Sequence, residues 1–110
     1  MGNIFGNVAT ESAYRYGEKW LDQLIGYLSG NVGYIENFIN NEFPEIKLVK
    51  PEATFLLWLD FRALGYNSAE IKKILIEKAR VGLSDGTIFG KEGNGFQRIN
   101  IGCPLSTIER

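Results

Sequence analysis

Apolar residues recur along the first third of the chain in steps of three and four: Ala13, Tyr16, Trp20, Leu24, Leu28, Val32, Ile35 and Ile39. That rhythm keeps one face of a 3.6-residue helix apolar. Gly17, Gly26, Gly30 and Gly33 fall within it, each weakening a helix by about 1 kcal/mol relative to Ala, yet the phase survives them. The pattern predicts one long helix, or two nearly coaxial ones bent near Gly30-Asn31. Ahead of it, MGNIFGN is rich in Gly and Asn and has no period, which predicts a loop or a frayed start. A helix of this length in so short a chain resembles a spine built to connect two bodies. Near Ala13 and Tyr16 its stripe has little to pack against.

Beyond Pro44 the period shortens to two. IKLVKP reads as a short strand ended by Pro51. ATFLLWLDF follows, with Phe55, Leu57 and Leu59 on one face and Leu56 and Trp58 on the other, the mark of a central strand covered on both sides. GYNSAEIKKILIEKA opens with Asn67 three residues before Glu70, a capping-box arrangement, and places Ile71, Ile74, Leu75 and the stem of Lys78 on a buried stripe. VGL reads as a short strand, SDGTIFGKEGNG as a Gly-rich loop and FQRINIG as the last strand. Trp20, Trp58 and the phenylalanines fall on these periods and are expected in the core. The order α–β–β–α–β–β predicts an α+β two-layer fold: a long N-terminal helix and a small antiparallel or mixed sheet with packed helices. Ser106 and Glu109 then match a second capping box, with only Arg110 after them. Together with the bare stripe near Ala13, this predicts a piece of a longer protein.

Composition narrows the chemistry. A chain of 110 residues, 45% hydrophobic and 23% charged, is one ordinary domain. Its formal charge of −1 argues against nucleic acid or an acidic membrane as partner, and no apolar run reaches the roughly 20 residues of a membrane span. The default location is the cytoplasm. The mixed charges around Lys72, Lys73, Lys78 and Arg80 fit a solvated helix face. There is one cysteine, Cys103, and no histidine, so an internal disulfide, a Cys-based metal site and the commonest general base are all missing. No metal site is expected, and a catalytic thiol is not either, since nothing nearby would activate Cys103.

Arg98 is the most specific feature. Period-2 alternation puts Gln97, Ile99 and Ile101 on one face of the last strand and Phe96, Arg98 and Asn100 on the other. A guanidinium among apolar neighbours stays charged and needs an anion. Either an internal acid supplies it, with Asp60 or Asp85 as candidates, or a ligand carboxylate or phosphate does, gripped by the two-pronged fork. The loop containing Gly86, Gly90, Gly93 and Gly95 lacks the strand–loop–helix context of a dinucleotide site and the ending of a P-loop, so it reads as a tight surface turn. No carboxylate pair has a spacing that suggests acid–base work.

Three segments carry a resemblance: FGNVATESAYRYGEKWLDQLIGYLSGN, PEATFLLWLDFRALG and DGTIFGKEGNGFQRINIGCPLST. Together they resemble the C-terminal small domain of pyridoxal-phosphate (PLP) enzymes of the class I/II aminotransferase fold, in the cystathionine β-lyase-like (C–S lyase) branch. The resemblance covers essentially the whole chain. It implies that residues 1–110 are a single C-terminal small domain, with 1–42 the interdomain helix region and 43–110 the α/β sheet region. Arg98 falls at the position of the family's arginine that binds the substrate α-carboxylate. The resemblance further implies an amino-acid substrate, PLP as cofactor of the intact protein, a large PLP-binding domain in the same chain, and a homodimer. The family's catalytic lysine directly follows a serine and precedes a Phe-Asn pair. Lys19, Lys47, Lys50, Lys72, Lys73, Lys78 and Lys91 all lack that context. The expectation is that this chain alone contains no catalytic residue, no cofactor-binding residue and no PLP, and is inactive. The alternative is an autonomous, non-catalytic binding or interaction domain, whose exposed helical stripe would need a partner.

Overall fold

The computed structural model describes residues 2–110. Helix α1 (Ile4–Tyr16) starts inside the segment expected to be a loop. Asn3 makes the difference: its backbone is extended and its side-chain oxygen accepts the Gly6 N–H at 2.6 Å, capping the first turn. Helix α2 (Glu18–Glu42) follows after a single residue. The break therefore lies at Gly17, not at Gly30-Asn31. A Cβ on Gly17 would collide with the Ala13 carbonyl oxygen, to which the Gly17 N–H is bonded at 2.8 Å, so only glycine fits the joint.

Helix α2 runs unbroken through Asn31, which is an anchor. It is buried, and its side-chain N–H donors reach the carbonyls of Ile101 at 3.0 Å and Cys103 at 3.1 Å. Four residues earlier on the same face, the Tyr27 hydroxyl accepts the Leu105 N–H at 2.8 Å. One face of α2 thus grips the chain where it leaves the sheet.

The sheet is antiparallel throughout, in the order β1–β2–β4–β3. Its strands are β1 (Lys47–Val49), β2 (Leu56–Asp60), β3 (Ser84–Asp85) and β4 (Phe96–Asn100). The central place of β2 was expected; β3 lies just beyond the expected VGL. Leu57 pairs with Ile99 and Leu59 with Gln97, so these side chains share the inner face. Leu57 and Leu59 join Ile101, Phe61, Leu28, Ile35 and Ile39 of α2 and Ile71 of helix α3 (Ser68–Ile74) in one core cluster, with Ile99 packed against it. Leu57 and Ile101 are 1% and 0% exposed. Helices on one face of a small sheet make the expected two-layer α+β fold.

The capping box of α3 is complete, with Asn67 and Glu70 each accepting the other's backbone N–H. The helix widens to a π-turn over Leu75–Ala79 and stops at Arg80, which takes a left-handed conformation (φ 56°). That wider turn rotates Lys78 to solvent rather than onto the core. Pro104 begins the last short helix, α4 (Leu105–Ile108), leaving Ser106 within the helix instead of capping it.

The expected aromatic core is largely absent. Trp20 is 66% exposed, and Phe5, Phe38, Phe43, Phe55 and Phe89 are exposed too; Phe61 alone of the phenylalanines is buried. Ile4, Phe5, Val8, Tyr16, Trp20 and Ile25 leave apolar side chains along α1 and the start of α2 in solvent. No helix among the described residues is long and apolar enough to cross a membrane.

Candidate functional site

The outer face of the sheet carries the polar chemistry. Trp58 lies opposite Arg98, and Arg98 opposite Ser84, across three adjacent strands; Asp60 pairs with Phe96 on the same side. Arg98 is half-buried there, and its guanidinium carbon lies 4.4 Å from the centre of the Phe89 ring. Neither expected internal acid reaches it. Asp60 is held by Arg62 through a pair of bonds of 2.9 and 2.8 Å, and it also accepts the Arg62 N–H at 3.0 Å. Asp85 accepts the backbone N–H and the hydroxyl of Thr87, both at 2.9 Å. Among the described residues the ion pairs are Arg62–Asp60 and Arg15–Glu11, so Arg98 has no carboxylate partner.

These bonds also set the local electrostatics. Hydrogen bonding to Arg62 holds the Asp60 carboxyl below its ordinary range, against a smaller opposing effect of burial. The same bonds raise the Arg62 guanidinium further above its already high value.

The Gly-rich segment builds the wall beside Arg98. It forms two successive 3₁₀ turns, Gly86–Phe89 and Lys91–Gly93, rather than an open loop. Gly86 and Gly93 pass backbone to backbone, and a Cβ on either would strike the other's carbonyl oxygen. Gly90 adopts φ 136°, which glycine accepts and other residues resist. Phe89 is presented between these constraints. At the entry to β4 the Gly95 N–H donates to the buried Ser68 hydroxyl at 2.8 Å, tying the loop's far end to α3.

Trp58 and Phe96 complete the arrangement: the two rings stack at 5.5 Å, and Trp58 meets Phe89 edge-on at 5.8 Å. Sequence periodicity placed Arg98, Phe96 and Trp58 on strand faces but assigned the aromatics to the core and did not single out Arg62 or Phe89. A usable signal was present, since Phe89 stands next to a glycine in a segment with three more. Across the sheet, Gln97 is 1% exposed and its side-chain nitrogen has no partner. It faces the helices, not Arg98.

Two other regions were candidates for chemistry. Cys103 is half-buried and free. A groove of about 660 Å³ runs between α2 and the 50–55 turn, lined largely by apolar groups including Leu24, Leu28, Val32 and Phe55. It shares no residue with the Arg98 cluster and offers a packing surface, not a charged site. Lys19, Lys47, Lys50, Lys72, Lys73, Lys78 and Lys91 are all exposed. Among the described residues no cluster of three or more His, Cys, Asp or Glu could hold a metal.

In sequence and fold this two-layer domain matches the small domain of PLP enzymes of the class I/II aminotransferase fold. The chain is homologous to the cystathionine β-lyase-like branch of that class. It is 43% identical to cystathionine β-lyase PatB of Bacillus subtilis over 107 residues, which are 97% of this chain and 28% of that protein. It is 42% identical to protein MalY of Escherichia coli over 98% of this chain and 28% of that one. Among solved structures, PLP-containing cystalysin from Treponema denticola superposes with a TM-score of 0.91 at 37% identity, covering 97% of this chain and 27% of that one. A PLP-bound C–S lyase from Staphylococcus hominis, in complex with L-cycloserine, superposes at 0.87 with 32% identity, covering 99% of this chain and 30% of that one. No family model matches the chain. The chain thus spans little more than a quarter of the length of the relatives it matches.

Proposed function

We propose that this chain is the C-terminal small domain of a PLP-dependent C–S lyase or aminotransferase acting on amino acids, and that Arg98 binds the substrate α-carboxylate. One observation carries this reading: Arg98 stands on the outer sheet face with no carboxylate partner among the described residues, while Asp60 on that face is engaged by Arg62 and Asp85 pairs with Gln97 on the other face. A guanidinium so placed offers two parallel N–H donors to a carboxylate, which fixes the orientation of an amino acid as well as its affinity. Relatives named as cystathionine β-lyases favour elimination at a carbon–sulfur bond over transamination. Residues 1–42 are the helix region joining this domain to a large PLP-binding domain, and residues 43–110 the sheet region that meets the substrate. The intact protein is a homodimer located in the cytoplasm.

The residues of this chain do not fit the cofactor. Its lysines are exposed and lack the serine-before, Phe-Asn-after context of the family's PLP lysine. PLP, when bound in the large domain, supplies the electron sink for breaking bonds at Cα. This chain contributes the grip on the carboxylate, and alone it is inactive.

The test is Arg98→Lys in the full-length enzyme with L-cystathionine as substrate. Losing the two-pronged contact to a buried carboxylate is expected to lower kcat/KM about a hundredfold, equivalent to about 2.7 kcal/mol. An unchanged kcat/KM rules out the carboxylate role.

A further inference from the structure

Five side chains on the outer face form a continuous run: Arg62, Phe96, Trp58, Phe89 and Arg98. The Arg62 guanidinium lies 4.6 Å from the Phe96 centroid, and Phe96 stacks on Trp58 with 16° between the rings. Trp58 meets Phe89 edge-on at 67°, and Phe89 lies under Arg98 at 4.4 Å. Each end of this aromatic run faces a cation. The ends differ in what remains for the cation's other contacts. Arg62 has its N–H edge filled by Asp60 at 2.9 and 2.8 Å. Arg98 makes no side-chain hydrogen bond among the described residues and no ion pair.

A guanidinium has two kinds of surface. Its faces are weakly hydrated and lie well against an aromatic ring, and its five N–H donors radiate in the plane, at right angles to those faces. A ring on one face therefore sets the plane without using a donor. An acid in the place of Phe89 would hold Arg98 more strongly, but it would fill the donors a carboxylate ligand needs. Phe89 offers a hold that leaves the fork empty.

Phe89 needs support, because it is 51% exposed and its own burial does not fix it. The support comes from the loop. Gly86 and Gly93 cross in backbone contact, Gly90 takes φ 136°, and Asp85 caps the first 3₁₀ turn at Thr87. Trp58 stands behind the ring.

We propose that Phe89 is a positioning residue for substrate recognition. Its ring face fixes the plane of the Arg98 guanidinium so that both donors meet the substrate carboxylate, and Trp58 with the Gly86–Gly93 crossing fixes the ring. This rests on the carboxylate role proposed for Arg98. It assigns to the DGTIFGKEGNG segment a task that neither phosphate binding nor a plain surface turn supplies.

The experiment uses the full-length holoenzyme, with L-alanine and ethylamine as probes that differ by the carboxylate, and dissociation constants from isothermal titration. Phe89→Leu keeps apolar bulk and removes the ring face; the expected result is L-alanine binding weakened about fivefold, the equivalent of a single cation–π contact. Ethylamine binding stays within about twofold of the unaltered enzyme, and Phe89→Tyr, which retains the ring face, restores L-alanine binding to within about twofold. With L-cystathionine, the loss from Phe89→Leu is expected in KM more than in kcat. Unchanged L-alanine binding in Phe89→Leu, or equal weakening of both probes, overturns the proposal. So does a folded Phe89→Tyr enzyme as weak as Phe89→Leu. Should Phe89→Leu fail to fold, Phe89→Tyr decides alone: L-alanine binding weakened more than about fivefold, with ethylamine unaffected, overturns it. Arg98→Lys separates the two levels. If it weakens L-alanine and Phe89→Leu does not, the positioning role falls and the carboxylate role stands; if Arg98→Lys leaves L-alanine unaffected, the carboxylate role falls first.

Discussion

The two faces of the sheet are made from alternate residues of the same strands, yet they are built on opposite principles. The inner face buries Leu57, Leu59 and Ile101 against α2 and α3, and its stability follows from apolar area removed from water. The outer face sets Trp58, Phe96 and Phe89 beside two arginines, with the rings half-buried or exposed. There the contacts are directional and individually small, and they orient side chains more than they stabilise the fold. One face specifies that the domain folds, and the other what it presents.

The contrast can be broken most directly on β2, where neighbouring leucines point opposite ways. Leu57→Ala is expected to destabilise the chain by about 2–5 kcal/mol, because the packed site can collapse only in part. Leu56→Ala, on the half-covered face, is expected to cost about 1 kcal/mol. Urea unfolding of both variants checks this, and equal costs would dissolve the distinction. A smaller effect is expected at the anchor between helix and sheet. Asn31→Ala leaves the Ile101 and Cys103 carbonyls without their side-chain donor, at a cost of about 1–3 kcal/mol in the same assay.

The smallest effect belongs to the outer face. Asp60 has its folded pKa depressed by Arg62, so the stability it contributes is present above the ordinary carboxylate range, near pH 4, and is lost as pH falls through the lower folded value. Arg62→Met removes the cause, and the acid limb of unfolding, followed by circular dichroism, is expected to move to higher pH. An unmoved acid limb would show the pair to be without linkage to folding.

Much of the inner face is legible in the linear pattern of the chain. The 3.6-residue stripe named Leu28, Ile35 and Ile39, the period of two named Leu57 and Leu59, and the Asn67–Glu70 spacing named a capping box that forms in full. Each depends on neighbours within a few residues, which a linear pattern contains. The same stripe misled at Trp20 and at the phenylalanines. An apolar residue on a periodic face looks the same whether or not another element covers it, and only Phe61 among the phenylalanines is buried. The start of α1 was missed because a single cap at Asn3 outweighed a Gly- and Asn-rich composition. The pattern left open one long helix or a break near Gly30-Asn31; α2 runs continuously through Asn31, whose partners lie some seventy residues away, and the break falls at Gly17 instead.

Arg98 shows both limits in one residue. Its alternation with Ile99 and the need of a charge for a partner made it conspicuous in the sequence. The choice between an internal acid and an external ligand depended on Asp60 spending its oxygens on Arg62, two residues away, and on the register that puts Asp85 opposite Gln97 rather than Arg98. The sequence by itself determined the order of helices and strands from α2 to β4, the two-layer class, the inner face and the singular arginine, because propensity, period and capping are local. Tertiary structure alone decided which apolar residues are covered and that Phe89 lies under Arg98. Those outcomes depend on strand register and on the backbone crossing of Gly86 and Gly93, contacts between residues that the chain pattern does not pair.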